Sequence, residues 1–374
     1  MKNKVFAKVI GMNFGVVVSL LFYSCSVCAE SFDPLAADYT GNQGKKIYVS
    51  RLGDNSDGSS WAKAFHTIAA GMKALPDDKG GHQVIVRPDT YLEANIDCPY
   101  KGAKGSYNVL VGDWDGQYGS GTTGWVIIDS SDPEKGFKAV DYWGTFLTSP
   151  SHATVGDRWI FRNIYTTGAE GHGWDIGPAA GSDLTVRVEH CVAIGRFSGI
   201  MMAAHVSRKE EPTLFRDSFF MCLDWWVDAG SVYFRAHNPA MPEFPDATFE
   251  NCTMVGPDNA VQVGFPGFQG YNRLKFKNCR MIVTNFSQPR GTPSTGVVCT
   301  DLEGKYLHVD FEDCFLMGFK LFGFIQDPFS YTTRGKCQGY VQYEQSVPDG
   351  FKRVGAWPAE VFKEILLSRF HGKK

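Results

Sequence analysis

Six segments read alike: WIFRNIYTTG from Trp159, VRVEHCVAIG from Val186, TLFRDSFFMC from Thr213, ATFENCTMVG from Ala247, LKFKNCRMIV from Leu274 and VDFEDCFLMG from Val309. With Phe161, Val188, Phe215, Phe249, Phe276 and Phe311 as anchors, the steps are 27, 27, 34, 27 and 35 residues. A unit that recurs with two longer steps marks a solenoid carrying loop insertions. The anchor column is apolar throughout. Three residues on stand Ile164, Cys191, Ser218, Cys252, Cys279 and Cys314. Six residues on stand Thr167, Ile194, Met221, Val255, Ile282 and Met317, and both columns are expected to face a core. The odd spacing from anchor to Cys requires a bend. Asn163, His190, Asp217, Asn251, Asn278 and Asp313 stand there, and Asn and Asp tolerate left-handed backbone.

The residue after each anchor alternates in sign: Arg162, Glu189, Arg216, Glu250, Lys277, Glu312. If successive coils stack as parallel strands about 4.8 Å apart, each charge meets opposite charges above and below. Such cross-strand pairs contribute on the order of 0.2–1 kcal/mol each and favour one register. The expected fold is therefore all-β, a single-stranded right-handed parallel β-helix; the hand follows from the general rule for parallel crossovers.

The chain has 374 residues, and the continuous repeat favours one domain, 30–374. Its expected parts are an N-terminal cap over about 45–80, coils over about 83–330 and a C-terminal extension, 331–374. The hydrophobic fraction of 43% allows a sizeable core. A net charge of −3 gives no bulk electrostatic case for nucleic acid or an anionic membrane. Residues 1–29 are laid out as a signal peptide: Lys2, Lys4 and Lys8, an apolar centre from Val16 to Phe22, then Val27-Cys28-Ala29. The apolar run is short of the ~20 residues a membrane span needs. Lipoprotein processing at Cys25 is the second export reading. The expected location is secreted or periplasmic, with lipid anchoring at the outer cell surface as the alternative. The column Cys191, Cys252, Cys279, Cys314 reads as small-residue packing rather than a metal or redox stack, and no CxxC pair lies outside residues 1–29.

Trp61, Phe65, Ile68, Met72 and Leu75 fall on one helical face, with Ser59 or Ser60 as cap, and this helix is expected to cover the open end of the solenoid. Pro358 to Phe370 reads as a C-terminal helix. IYVSRLGDNSDGSSWAKAFHTIAAGMKAL from Ile47, followed by VIVRPDTYLE from Val84, resembles the entry segment of secreted β-helix proteins of the pectate-lyase-like superfamily. The resemblance implies a carbohydrate-active protein with its glycan groove on a strand platform walled by loops. It covers one end of the chain, so the repeat itself carries the fold.

Several groups bear on chemistry. His205 and His237 each end a strand, with Arg235, Arg208 and Lys209 close by in sequence. A His base with a cation to counter a uronate carboxylate is what a polysaccharide lyase needs; the alternative is a pair of turn histidines bonded to backbone. Asp224 and Asp228 flank Trp225-Trp226, a carboxylate pair beside rings, but on a strand they stand roughly 13 Å apart, too wide for glycosidase geometry without a bend. Gly171-His172-Gly173 with Asp175 resembles the Gly-His-Gly element of polygalacturonase-type hydrolases, whose Asp pair and Arg-x-Lys this chain lacks. Gln262 is a polar group on the corresponding strand of a later coil. Trp114, Tyr118 and Trp125 suit either sugar stacking or loop packing. The acidic loop Asp54, Asn55, Asp57 offers oxygens to Ca²⁺ but lacks the full calcium-loop spacing, so no metal site is assigned. The sequence thus predicts a monomeric, polysaccharide-active protein with no transmembrane segment: a lyase acting by β-elimination ahead of a glycoside hydrolase. A non-catalytic glycan-binding or surface structural β-helix is the alternative. A phage-like adhesive fibre is disfavoured by the signal sequence.

Overall fold

The computed structural model describes residues 31–132, 136–139, 144–147, 156–176, 184–202, 208–224, 230–234, 238, 240–263, 271–284, 295–299, 307–318, 320–323, 330–341 and 347–355. Each coil runs through three short strands, one in each of three parallel sheets. Sheet A takes Trp159–Arg162, Val186–Glu189, Thr213–Arg216, Ala247–Glu250, Asn272–Lys277 and Leu307–Glu312. Sheet B takes the strands that follow, such as Val192–Gly195 and Phe219–Cys222. Sheet C includes His172–Ile176, Ser198–Met202, Val232–Phe234 and Asn259–Val263. The chain is a right-handed parallel β-helix. The stacking extends beyond the expected 83–330: Lys46–Val49 already pairs with Gln83–Val86, and Ser330–Arg334, Gln338–Val341 and Lys352–Arg353 continue the sheets.

The repeat's columns explain the coil. The anchors line up as Cα partners, and their rings stack through the core: Phe215 to Phe249 at 4.5 Å, Phe249 to Phe276 at 5.0 Å, Phe276 to Phe311 at 5.9 Å. The bend between sheets A and B is a single left-handed residue, with φ of 61° at Asn163, 49° at His190, 51° at Asp217, 55° at Asn251, 50° at Asn278 and 53° at Asp313. These side chains also bond from coil to coil: Asn278 Nδ2 donates to Asn251 Oδ1 (2.7 Å), and Asn251 Nδ2 to Asp217 Oδ1 (3.0 Å). Just past the bend each cysteine thiol turns back to a carbonyl of the strand it has left. Cys191, Cys252, Cys279 and Cys314 Sγ donate to the carbonyls of Glu189, Glu250, Lys277 and Glu312, each at 3.3 Å. Burial pushes the Cys191 and Cys314 thiols up to about 12, which keeps them protonated donors.

One column is corrected. From Cys, side chains alternate, so the next inward position is two residues on: Ala193, Phe220, Met254, Met281 and Leu316 join the anchors in the main core. Ile194, Met221, Val255, Ile282 and Met317 point outward and form a second apolar cluster on the far side of sheet B, with Val192 and Phe219.

The N-terminal helix is also shorter than its apolar spacing predicts. It spans Ile68–Lys73 and is capped by Thr67, whose side chain accepts from Ala70 N (3.2 Å), while the Glu93 carboxylate accepts from Ile68 N (2.7 Å) and Ala69 N (2.9 Å). Neither Ser59 nor Ser60 caps it. Phe65 exchanges backbone bonds with Tyr48 and Ser50, so the chain there is extended, and Trp61–Lys63 is only a 3₁₀ turn. Ile68, Met72 and Leu75 still bury with Ile47, Val49 and Val84 in the first-coil core. The expected signal peptide (with Cys25) and the helix over 358–370 lie outside the described residues. Among those residues, no helix is long and apolar enough to cross a membrane.

Candidate functional site

The outer face of sheet A satisfies itself. Arg162 pairs with Glu189, Arg216 with Glu250 (3.1 Å) and Lys277 with Glu312 (3.5 Å). Asp33 caps one end of the row on Arg162, and Arg187 adds a second partner to Glu189 (2.6 Å). Burial by itself would raise the Glu189 carboxyl, but the Arg187 and Arg162 guanidiniums outweigh it and hold it below its ordinary range. Charges matched in this way hold the stack together and leave nothing for a ligand.

The outer face of sheet C is built differently. In each strand the core takes alternate residues: Trp174 and Ile176, Ile200 and Met202, Val232 and Phe234, Val261 and Val263. The residues between them, Asp175, Met201, Tyr233 and Gln262, are Cα partners on four successive coils and face outward. All four are nonetheless buried, with Tyr233 and Gln262 at 0% exposure and Asp175 at 4%. A carboxylate, a phenol and an amide stand in one line about 4.8 Å apart per coil, outside the core yet shielded from water. At the edge of the same strands, His172 Nδ1 bonds Ser198 Oγ across one coil, and Asn259 Nδ2 reaches Gln262 Oε1 (3.4 Å).

The link into sheet C shapes this face. In four coils it is short: residues 170–171 before His172, Arg196-Phe197 after Gly195, Pro257-Asp258 after Gly256 and residue 319 after Gly318. A Cβ on Gly195 or Gly256 would run into the carbonyl oxygen of Ser198 or Asn259, so the tight turn requires glycine. Where Cys222 and Val283 replace glycine, the links lengthen to 223–231 and 284–294. The insertions therefore precede the sheet C strands.

Of the expected site residues, His172, Asp175 and Gln262 fall on sheet C. Asp224 lies at the B–C corner, 47% exposed and bound to Arg196 Nε (3.1 Å), which also holds Glu170 (3.1 Å). Arg208 does not stand as a spare cation: it grips Asp157 (2.7 Å) and Thr185 Oγ1 (3.1 Å) at the entry to sheet A, beside the Arg158–Glu211 pair. Lys209 is exposed beside it. His205, Arg235, His237, Trp225 and Asp228 lie outside the described residues. Asn238, which follows His237, is pinned between coils by Asp246 Oδ1 (3.0 Å) and the Tyr271 carbonyl (2.8 Å). Trp114 and Trp125 pack on each other (4.6 Å) and on His190 (5.1 and 4.8 Å), which makes them loop packing over the bend. In the acidic loop, Asp54 and Asp57 accept from Ser56 and Ser59, and Asp57 pairs with Lys63 (3.1 Å), so its carboxylates are used in turns. Tyr233 and Ser198 were missed. The insertion before Val232 hides Tyr233's alignment with Asp175 and Gln262, and the glycine rule above is the signal that recovers it.

No family model matches this sequence, and no curated relative does. Among solved structures the chain is similar to pectate lyase Pel9A, with a TM-score of 0.54 at 14% identity over 84% of this chain and 75% of that one. It is also similar to Geobacillus virus E2 ORF18 (TM-score 0.50, 11% identity, 82% and 59% covered) and to the pectin methylesterase of Aspergillus niger (TM-score 0.47, 15% identity, 85% and 92% covered). At these identities the likeness is one of fold.

Proposed function

We propose that this is an exported polysaccharide-active enzyme whose site is the outer face of sheet C, and that it cleaves an acidic glycan by β-elimination. One observation carries the proposal: the buried outward line of Asp175, Tyr233 and Gln262 on sheet C, whose polar side chains do not repeat from coil to coil as the charges of sheet A do. The likeness in fold to a pectate lyase supports the choice of substrate class.

In this proposal a histidine, His205 or His237, takes the proton beside the uronate carboxylate. Each follows a paired position, Met202 or Phe234, by three residues, which suits neighbouring places on adjacent coils. Arg235 counters the carboxylate charge, without which that proton is not acidic enough to remove. The electron pair left behind forms the carbon–carbon double bond as the glycosidic C–O bond breaks. The departing oxygen takes a proton from the Tyr233 phenol. His172, Asp175 and Gln262 bind sugar hydroxyls. Arg208 has no part in this scheme, because its charge is held by Asp157.

The test is product spectroscopy on the mature protein with a panel of acidic and neutral glycans. Ultraviolet absorbance from an unsaturated sugar is expected with a polyuronate. New reducing ends without that absorbance would mean hydrolysis, and binding without either product would mean a glycan-binding protein. His205→Ala and His237→Ala are expected to lose turnover while remaining folded; full activity in both would remove them from the scheme.

A further inference from the structure

We propose that the C-terminal coils carry a second, separate saccharide site on the outer face of sheet B, selective for an acidic sugar. A cleft of about 240 Å³ opens there, lined by Asn278, Arg280, Asp313, Phe315, Lys336 and Gln338 among others. Its floor is a row in register: Arg280, Phe315 and Gln338 are Cα partners on three successive coils. The flank is the bend, where Asn278 and Asp313 hold left-handed backbone and Asp313 Oδ1 accepts from Lys336 N (2.7 Å).

The charges set this cleft apart. In the same coils, three cations of sheet A are matched, Arg273 with Asp310 (3.0 Å) and Lys275 and Lys277 with Glu312 (3.5 Å each), while Arg334 on the last strand is exposed. Among the described residues, neither the Arg280 guanidinium nor the Lys336 ammonium is in a salt bridge. Two uncommitted cations therefore face one small cleft whose single carboxylate, Asp313, is turned to a backbone amide. Between them lies Phe315, a half-buried ring. A cation, a ring face and an amide spaced at about 4.8 Å per coil match one charged sugar: carboxylate on Arg280 and Lys336, ring on Phe315, hydroxyls on Asn278 and Gln338. The volume suits one or two rings, so it is a subsite and not a groove. It lies on a different sheet from the site proposed for turnover and stands independently of that proposal.

The experiment follows the acylation rate of Lys336 by peptide mass spectrometry as digalacturonate is added to the whole protein, with lactose as the neutral control. Digalacturonate is expected to protect Lys336, lactose is not, and Arg280→Gln is expected to weaken protection about tenfold. Lys336 labelled at an unchanged rate, equal protection by lactose, or full protection in Arg280→Gln would each overturn the proposal. Because the readout is local to Lys336, its failure says nothing about turnover at sheet C, and a protein without turnover can still show it.

Discussion

The outer faces of sheets A and C come from the same coils, yet they are built on opposite plans. On sheet A each coil presents one charge in the same place, and each charge finds its partner one coil away. On sheet C the corresponding outward position is Asp175, then Met201, then Tyr233, then Gln262, a different chemistry at every step. A repeated, self-satisfied row serves the stack. A row that changes at each step gains no repeating cross-strand pair, and burying a carboxylate and a phenol in it costs stability unless they are hydrogen-bonded. The difference separates the face that holds the fold from the face assigned to function.

Substitutions sharpen the contrast, starting with the largest effect. Glu189→Lys sets a third cation against Arg162 and Arg187, and is expected to cost about 3–5 kcal/mol in urea denaturation, as breaking a buried pair does. A drop under about 1 kcal/mol would mean that the row is decorative. Asn278→Ala keeps a side chain at φ 50° without the local bonding that asparagine provides, and should cost about 1–3 kcal/mol. Gln262→Leu, on the other face, is expected to leave stability within about 1 kcal/mol while weakening glycan binding.

Acid is a gentler probe of the same face of sheet A. Glu189 and Asp310 are both held below their ordinary values of 4.5 and 3.8: burial alone would raise them, but the cations and hydrogen bonds around them prevail. Their contribution is present in full above those ordinary values and is lost as pH falls through the lower folded values. Melting temperature is therefore expected to hold steady above about pH 5 and to fall below it. Glu189→Gln should flatten that fall; an unchanged acid limb would place the loss elsewhere.

Sheet A was readable from sequence because its signals repeat. Six copies of an alternating charge and six bend-forming residues leave little else to explain them. The inward column after the bend was misplaced because counting from the anchor ignores the residue spent in the turn; Leu316 and Met281 are inward, not Met317 and Ile282. Tyr233 escaped because sites do not repeat, and because an insertion of unmarked position breaks the count. The mark was present in the final letter of each repeat. The short links after 195 and 256 require glycine there, whereas the long links follow Cys222 and Val283. Trp61 and Phe65 misled for another reason: their spacing is helical, but pairing of Phe65 with Tyr48 outweighs it.

The most direct test is to measure melting temperature and glycan turnover together on Tyr233→Phe and Glu189→Gln. Tyr233→Phe is expected to melt within a few degrees of the parent and to lose about 10²-fold or more in turnover. Glu189→Gln should do the reverse, melting clearly earlier with its turnover intact below the melt. Parental turnover in Tyr233→Phe, or a selective loss of turnover in Glu189→Gln, would contradict the division of labour between the two faces.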